Sequence, residues 1–255
     1  MQSFGSYHAY LADRLTPLRT ACTTEAVIGG AEGASCFFMV NGANPKNGII
    51  PSHSFGVAAP LQMVGLEAAA EAKSIEQTIM GELPELLCRA VNAQIDRSII
   101  AALEGCDGIA AVEGTGLDVV LKSEVVLGNN EVPIEEEDNM FCVITPAMRA
   151  MLLERTEYAS GDYVFVRAGS RQVKVWCWAG KNWLVAPTPS GRSYMFHRHA
   201  VGHALGLLAL AVPGAVTGGV DLKTGLGWMK AKTMQLATVL QRVGVVSFVV
   251  GGDKQ

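Results

Sequence analysis

Thr145-Pro146-Ala147-Met148-Arg149-Ala150-Met151-Leu152-Leu153 opens a run of local signals that continues to Gly206, and the order of those signals decides the fold. A hydroxyl N-cap followed by a first-turn proline starts a short helix: the hydroxyl accepts one orphan N–H, and the proline has none to leave unpaired. A tyrosine segment follows, Glu157-Tyr158-Ala159-Ser160-Gly161-Asp162-Tyr163-Val164, and then the alternating strand Val173-Lys174-Val175-Trp176-Cys177-Trp178. A second apolar stretch, Asn182-Trp183-Leu184-Val185-Ala186, leads into a Pro187-Thr188-Pro189-Ser190-Gly191 turn. The run closes on Tyr194-Met195-Phe196-His197-Arg198-His199-Ala200-Val201-Gly202-His203-Ala204.

Upstream, Leu87, Val91, Ile95, Ile99 and Leu103 step by four residues and make one apolar stripe, with Glu85 and Arg89 spaced as an i, i+4 ion pair. Gly81 and Pro84 interrupt the approach, since an interior proline loses a hydrogen bond and clashes with the preceding turn, so the helix is predicted from Pro84 to Glu104. Gly105 ends it. Between Ala34 and Gly65 strand-like runs are broken by Asn41-Gly42-Ala43-Asn44-Pro45-Lys46-Asn47-Gly48, which combines tolerance of left-handed φ with a locked proline and predicts the tip of a long hairpin. Near the start, Tyr7, Leu11, Leu15 and Leu18 recur at helical spacing and predict an amphipathic helix over residues 3–18.

The chain has 255 residues and a net charge of −4. At that length roughly 70–75% of the unfolded surface can be buried, enough for one domain with excursions or two small ones. The mixed charge excludes the basic signature of a dedicated nucleic-acid binder, which needs clustered Lys and Arg to neutralise phosphates. Six cysteines are scattered without a C-x-x-C pair, several in apolar runs, and read as reduced, packed thiols of a protein made in a cytoplasm. The N-terminus lacks the regions of a secretory signal. The apolar stretch from Ala204 to Val220 contains Pro213, Gly214, Gly218 and Gly219 and falls short of a membrane span, so it predicts a buried strand and turn.

The sharpest enzymatic pattern is His197-x-His199-x-x-x-His203, whose three imidazoles could hold Zn²⁺ with a position open for water. No H-E-x-x-H or carboxylate-rich partner supplies a base or a second shell, so hydrogen-bonded structural or interface histidines are the expectation, with no metal and no cofactor. Glu135-Glu136-Glu137-Asp138 lacks the alternating spacing of a calcium loop and predicts a solvated loop. Gly180-Lys181 lacks the glycines of a phosphate loop, no G-x-S-x-G elbow occurs, and Gly29-Gly30-Ala31-Glu32-Gly33 lacks the strand-to-helix context of a dinucleotide site.

The order from Thr145 to Gly206 resembles the axial-domain portion of tailed-phage major capsid proteins with the Hong Kong 97-like fold. The helix ending at Ile95-Asp96-Arg97-Ser98-Ile99-Ile100-Ala101-Ala102-Leu103-Glu104 resembles that family's spine helix. Gly33-Ala34-Ser35-Cys36-Phe37-Phe38-Met39-Val40 and Ile50-Pro51-Ser52-His53-Ser54-Phe55-Gly56-Val57 sit where the family has the two arms of its extended loop. Arg242-Val243-Gly244-Val245-Val246-Ser247-Phe248-Val249-Val250 sits where its last strands return to the peripheral domain.

The resemblance implies an α+β subunit with an N-terminal arm over 1–33, an extended loop over 34–68, a peripheral domain with the spine helix over 69–106, an axial domain over 107–212 and a return to the peripheral domain over 213–255. It implies no enzymatic activity, and a protein of the virion, synthesised in the host cytoplasm, that self-assembles through pentamers and hexamers into an icosahedral shell around double-stranded DNA held without sequence specificity. A portal protein, and scaffolding and decoration proteins where these are used, would be its other partners. Phe37, Phe38, Lys46 and Phe55 become candidate subunit contacts, and Gly81 with Pro84 a candidate hinge. Some relatives cross-link such loops through a lysine, but a solvated polar tip accounts for Lys46, and no cross-link is expected. Encapsulins resemble the same family yet enclose enzymes, so an encapsulin-like nanocompartment is the alternative, ahead of a His-rich metal-dependent enzyme.

Overall fold

The computed structural model describes residues 17–24, 35–39, 56–60, 62–70, 83–114, 116–154, 165–168, 174–205, 216–220 and 227–250. The amphipathic helix expected over 3–18 lies mostly outside them. A single turn, α1 (Pro17–Thr20), leads to β1 (Thr23–Thr24), β2 (Ser35–Met39), β3 (Gly56–Pro60), β4 (Gln62–Ala70) and the long helix α2 (Leu83–Glu104). Then come β5 (Ala110–Gly114), α3 (Asp118–Asn129), β6 (Met140–Ile144), α4 (Pro146–Leu153), β7 (Phe165–Ala168), β8 (Lys174–Trp178) and β9 (Lys181–Val185). The chain continues through β10 (Ser193–His197), β11 (Val201–Leu205), β12 (Val216–Val220), β13 (Gly227–Val239) and β14 (Val245–Val250).

Seven strands form a mixed sheet in the order β5-β14-β10-β6-β9-β8-β7, with β5–β14 and β6–β9 parallel. The run Met140-Phe141-Cys142-Val143-Ile144 offers no polar side chain to solvent, so both faces of β6 must be covered. Met140, Cys142 and Ile144 pack with Val119, Val120 and Leu127 of α3 and with Met148 and Leu152 of α4. Phe141 and Val143 pack with Leu18 and with Ile95, Ile99 and Leu103 of α2. The same alternation divides Met195 from Tyr194 and Phe196 on β10, and it makes this half a three-layer sandwich.

The second sheet is built on the thirteen-residue β13. One edge of β13 pairs antiparallel with β4, from Gly227↔Ala70 to Gln235↔Gln62. The other takes β12 along its first half and β11 along its second, and β1 adds to β11 in parallel. The helix α2 lies against β13 and β4 while burying Ile95, Ile99 and Leu103 under the larger sheet, so it joins the two halves.

The local signals place these elements well. Thr145 Oγ1 accepts the Met148 N–H at 3.1 Å with Pro146 in the first turn, and α4 starts there. At the end of α2 the positive φ falls at Gly108 (80°), three residues beyond Gly105, whose N–H still reaches Ala101 O at 2.8 Å. The described part of the hairpin's second arm is Gly56–Pro60, and residues 50–55 lie outside the described residues. β4 forms a nine-residue ladder with β13. β12 and β13 lie in the sheet beside α2, whereas β14 inserts between β5 and β10, where Val246 and Phe248 find apolar neighbours on the α3 side.

Candidate assembly surfaces

Phe37 and Phe38 lie on β2, opposite Ala58 and Val57 of β3. Lys46 and Phe55 fall outside the described residues. Among the described residues β2 and β3 pair with each other and with neither larger sheet. A two-stranded hairpin alone is marginal in water, and within the chain β2 approaches β11 of the second sheet. Gly81 also falls outside the described residues, while Pro84 is the second residue of α2. A proline there forfeits no intrahelical bond, because the first-turn N–H groups have no helical acceptor.

A second surface is the outer face of α3. Leu121 is 60% exposed and Val125 61% exposed, one turn apart, and beside them the exposed Asp118 and Lys122 form an ion pair at 2.6 Å. The sequence Asp118-Val119-Val120-Leu121-Lys122-Ser123-Glu124-Val125-Val126-Leu127 carries more apolar residues than one helix face can bury, and that excess was the signal available beforehand. A third surface is a cleft of about 260 Å³ whose walls include Leu18, Trp176, Leu184 and Val185. Arg149 lies over the Trp176 ring, 3.8 Å from its centroid, and its buried Nε has no hydrogen-bond partner among the described residues.

The three histidines go to different partners. His197 is buried at the end of β10; its Nδ1 accepts the His199 N–H at 3.3 Å, so Nε2 carries the proton and faces Glu136 Oε2 at 3.2 Å. Burial holds the His197 pKa below the usual imidazole value, against the opposing pull of Glu136. Glu136 lies below the usual carboxylate value, first because Asn139 Nδ2 donates to it at 2.8 Å and then because of His197. His199 follows in a 3-10 turn rather than on the strand; its ring centroid is 5.2 Å from that of His197, and its Nδ1 is 3.3 Å from Thr23 Oγ1. Burial, then Arg198, lowers its pKa.

His203 belongs to the other sheet and is fully buried. Its Nδ1 accepts from Arg19 Nε at 3.2 Å, which leaves Nε2–H facing Gln235 Oε1 at 3.5 Å, and Gln235 Nε2 faces Gln94 O of α2 at 3.5 Å. Burial first, then the Arg19 charge, depresses its pKa to about 4. Among the described residues no group of three His, Cys, Asp or Glu side chains is placed to hold a metal ion. The exposed Glu135, Glu136, Glu137 and Asp138 form a turn leading into β6.

Sequence reasoning missed the chain from Arg19 through His203 and Gln235 to Gln94, which spans 184 positions in its first link alone and leaves no local pattern. It also missed the pair of Lys181, 5% exposed, with Glu124 at 2.5 Å, because Gly180-Lys181 carries no local sign of an acidic partner. Cys22, Cys142 and Cys177 are buried free thiols, with burial pushing the Cys22 pKa to about 12 and the Cys142 pKa strongly upward. Among the described residues no helix is long and apolar enough to cross a membrane.

No protein-family model matches the chain, and no curated protein sequence matches it. Solved structures do match it. The virus-like particle from Pyrococcus furiosus superposes with a TM-score of 0.59 at 10% identity over 96% of each chain. The capsid of the cyanophage P-SCSP1u gives 0.56 at 12% identity, covering 94% of this chain and 89% of that one. The holo-SrpI encapsulin complex of Synechococcus elongatus gives 0.54 at 11%, covering 92% and 87%. The chain has the Hong Kong 97-like fold that phage capsids and encapsulins share.

Proposed function

We propose that the protein is a shell-forming subunit and, more narrowly, the major capsid protein of a tailed phage. The observation that carries the shell reading is the β2–β3 hairpin, which among the described residues pairs with neither larger sheet, in a chain whose architecture matches shell subunits almost end to end. Such a hairpin gains stability by lying on a neighbouring copy. Its role is geometric: heterologous contacts between copies close around local five-fold and six-fold axes, and many weak contacts sum to a stable shell.

The phage reading is supported by the likeness to several phage capsids, among them that of Mycobacterium phage Che8, with a TM-score of 0.50. A net charge of −4 suits a subunit that encloses DNA rather than gripping it. On this reading the virion is its location, a portal occupies one vertex, and scaffolding or decoration proteins are partners where the shell uses them. A second reading, a protein nanocompartment, is favoured by the likeness to the SrpI encapsulin complex. Electron microscopy of the expressed protein tests the shell, with closed particles expected and monomers contrary to it. The contents of particles from the native source separate the readings: nuclease-protected double-stranded DNA for a capsid, a protein cargo for a nanocompartment.

A further inference from the structure

The first described segment, Pro17 to Thr24, packs on α2 and pairs with β11, and little backbone holds it there. α1 is a single turn, and β1 is two residues long, paired in parallel with β11 at Thr23↔Gly202 and Thr24↔His203. Leu18, Ala21 and Cys22 are buried in the same cluster as Ile95, Ile99 and Leu103 of α2. Thr23 Oγ1 donates to Arg198 O at 3.1 Å, and with no second proton it accepts from His199 Nδ1 at 3.3 Å. Arg19 Nε donates to Nδ1 of His203, a fully buried residue in the middle of β11, at 3.2 Å.

Acid acts on these two imidazoles differently. His199 already carries the proton it gives to Thr23, so a second proton goes to Nε2 and leaves that bond in place. His203 accepts from Arg19 at Nδ1 and turns its Nε2–H toward Gln235 Oε1, so a second proton lands on Nδ1 and sets a donor against a donor. Gln235, behind it, reaches Gln94 O of α2 and does not titrate. Arg19 acts directly on His203, while Asp96 of α2 and Arg198 of the 3-10 turn act with opposite signs on Cys22, one turn from Arg19. Arg198 and Glu136 act on His199. A doubly protonated His203 therefore loses its bond to Arg19 and stands beside a like charge inside the fold.

We propose that Arg19 and His203 form an acid-sensitive catch: when His203 takes a second proton, residues 17–24 leave β11 and α2 as a unit while both sheets stay folded. The break is local because this strap belongs to no ladder except the short β1–β11 pair, whereas β11, β12 and β4 all pair with β13 without it. Release uncovers the part of α2 that Leu18, Ala21 and Cys22 cover, and it gives the segment two arrangements chosen by pH. Burial first, then the Arg19 charge, holds His203 at about 4 in the closed arrangement, against ~6.5 for an imidazole in water. The closed arrangement binds fewer protons, so it is fully favoured above pH ~6.5, and its ratio to the open one falls about thirtyfold by pH ~5. The catch acts within one subunit and is independent of the shell reading.

Cys22 supplies the readout, because its thiol is buried while the strap is closed. The full chain is treated with 4,4′-dithiodipyridine at intervals from about pH 7.5 to about pH 5, and each cysteine's modification rate, followed by peptide mass spectrometry, is divided by its rate in the denatured chain. Cys142, buried in the other core cluster, reports opening of the whole fold. Cys22 should be at least roughly tenfold less protected than Cys142 at every pH, and its protection should fall about thirtyfold across the range. His203→Gln, which cannot titrate, should reduce that fall to about threefold or less. The two thiols of the unsubstituted protein decide the matter even if that variant does not fold. Equal protection of Cys22 and Cys142, which means that Cys22 is reached only by global unfolding, would overturn the catch. So would a Cys22 protection that ignores pH, or the same fall in His203→Gln.

Discussion

At the scale of single residues, His203 is the group whose burial has the clearest consequence. The Arg19 guanidinium occupies its Nδ1 and Gln235 faces its Nε2, so a second proton would break the first link and place two positive charges side by side. Its pKa, about 4 in the folded chain, lies below the ~6.5 of a free imidazole. The folded state therefore binds fewer protons than the unfolded state between those values. This contribution to stability is fully present above pH 6.5 and is lost as pH falls toward 4, by about 3 kcal/mol across the window. Denaturant unfolding at a series of pH values should show that slope, and His203→Gln, which keeps an acceptor and a donor but cannot titrate, should flatten it; equal slopes in both proteins would contradict the assignment. The same separation of partners bears on zinc. With His197 on Glu136, His199 by Thr23 and His203 in the other sheet, purified protein should hold no stoichiometric zinc, and replacing any one of the three by Gln should leave metal content unchanged. One tightly bound metal per chain, lost on substitution, would reverse that reading.

At the scale of elements, whatever rests on local chemistry was legible. Thr145 and Pro146 start α4 where the sequence places the start, and Ile95, Ile99 and Leu103 form the buried face of α2. Strands with both faces covered were harder, because β6 and β14 read as plain apolar runs that name neither their neighbours nor their sheet. The position of β14 between β5 and β10 follows from long-range packing of Val246 and Phe248, which no window of sequence contains. The candidate contacts were legible only as a hairpin: Phe37 and Phe38 stand opposite Ala58 and Val57, while any contact with a neighbour depends on a second chain. Replacing both Phe37 and Phe38 by Ser tests that dependence. Because among the described residues the hairpin is paired with neither large sheet, the change should lower particle yield at least tenfold while shifting subunit melting by no more than a few degrees. Normal particles of unchanged stability would remove both residues from the interface, and loss of soluble protein would place them in the subunit's own core.

At the scale of the whole molecule, a closed shell asks one chain to fit environments of different curvature, and the fold determines where it can yield. The two sheets are joined through α2, which packs on β13 and β4 and buries Ile95, Ile99 and Leu103 under the larger sheet, so bending within its C-terminal half would open packed core. α2 begins at Leu83, and Pro84 in its first turn has no N–H to give up, so the chain can change direction just before the helix without breaking a helical hydrogen bond. Gly81, two residues before the helix, tolerates backbone angles that other residues avoid. Copies at five-fold and six-fold positions of an assembled shell should therefore differ in φ and ψ between Gly81 and Glu85 while residues 92–104 superpose. Gly81→Pro, which fixes one of those angles, should shift assembly toward particles of a single curvature or toward open sheets. Identical angles from Gly81 to Glu85 in every copy would rule out the hinge; the adjustment would then have to come from rigid rotation of whole subunits about their contacts, a mode that leaves every backbone angle in place.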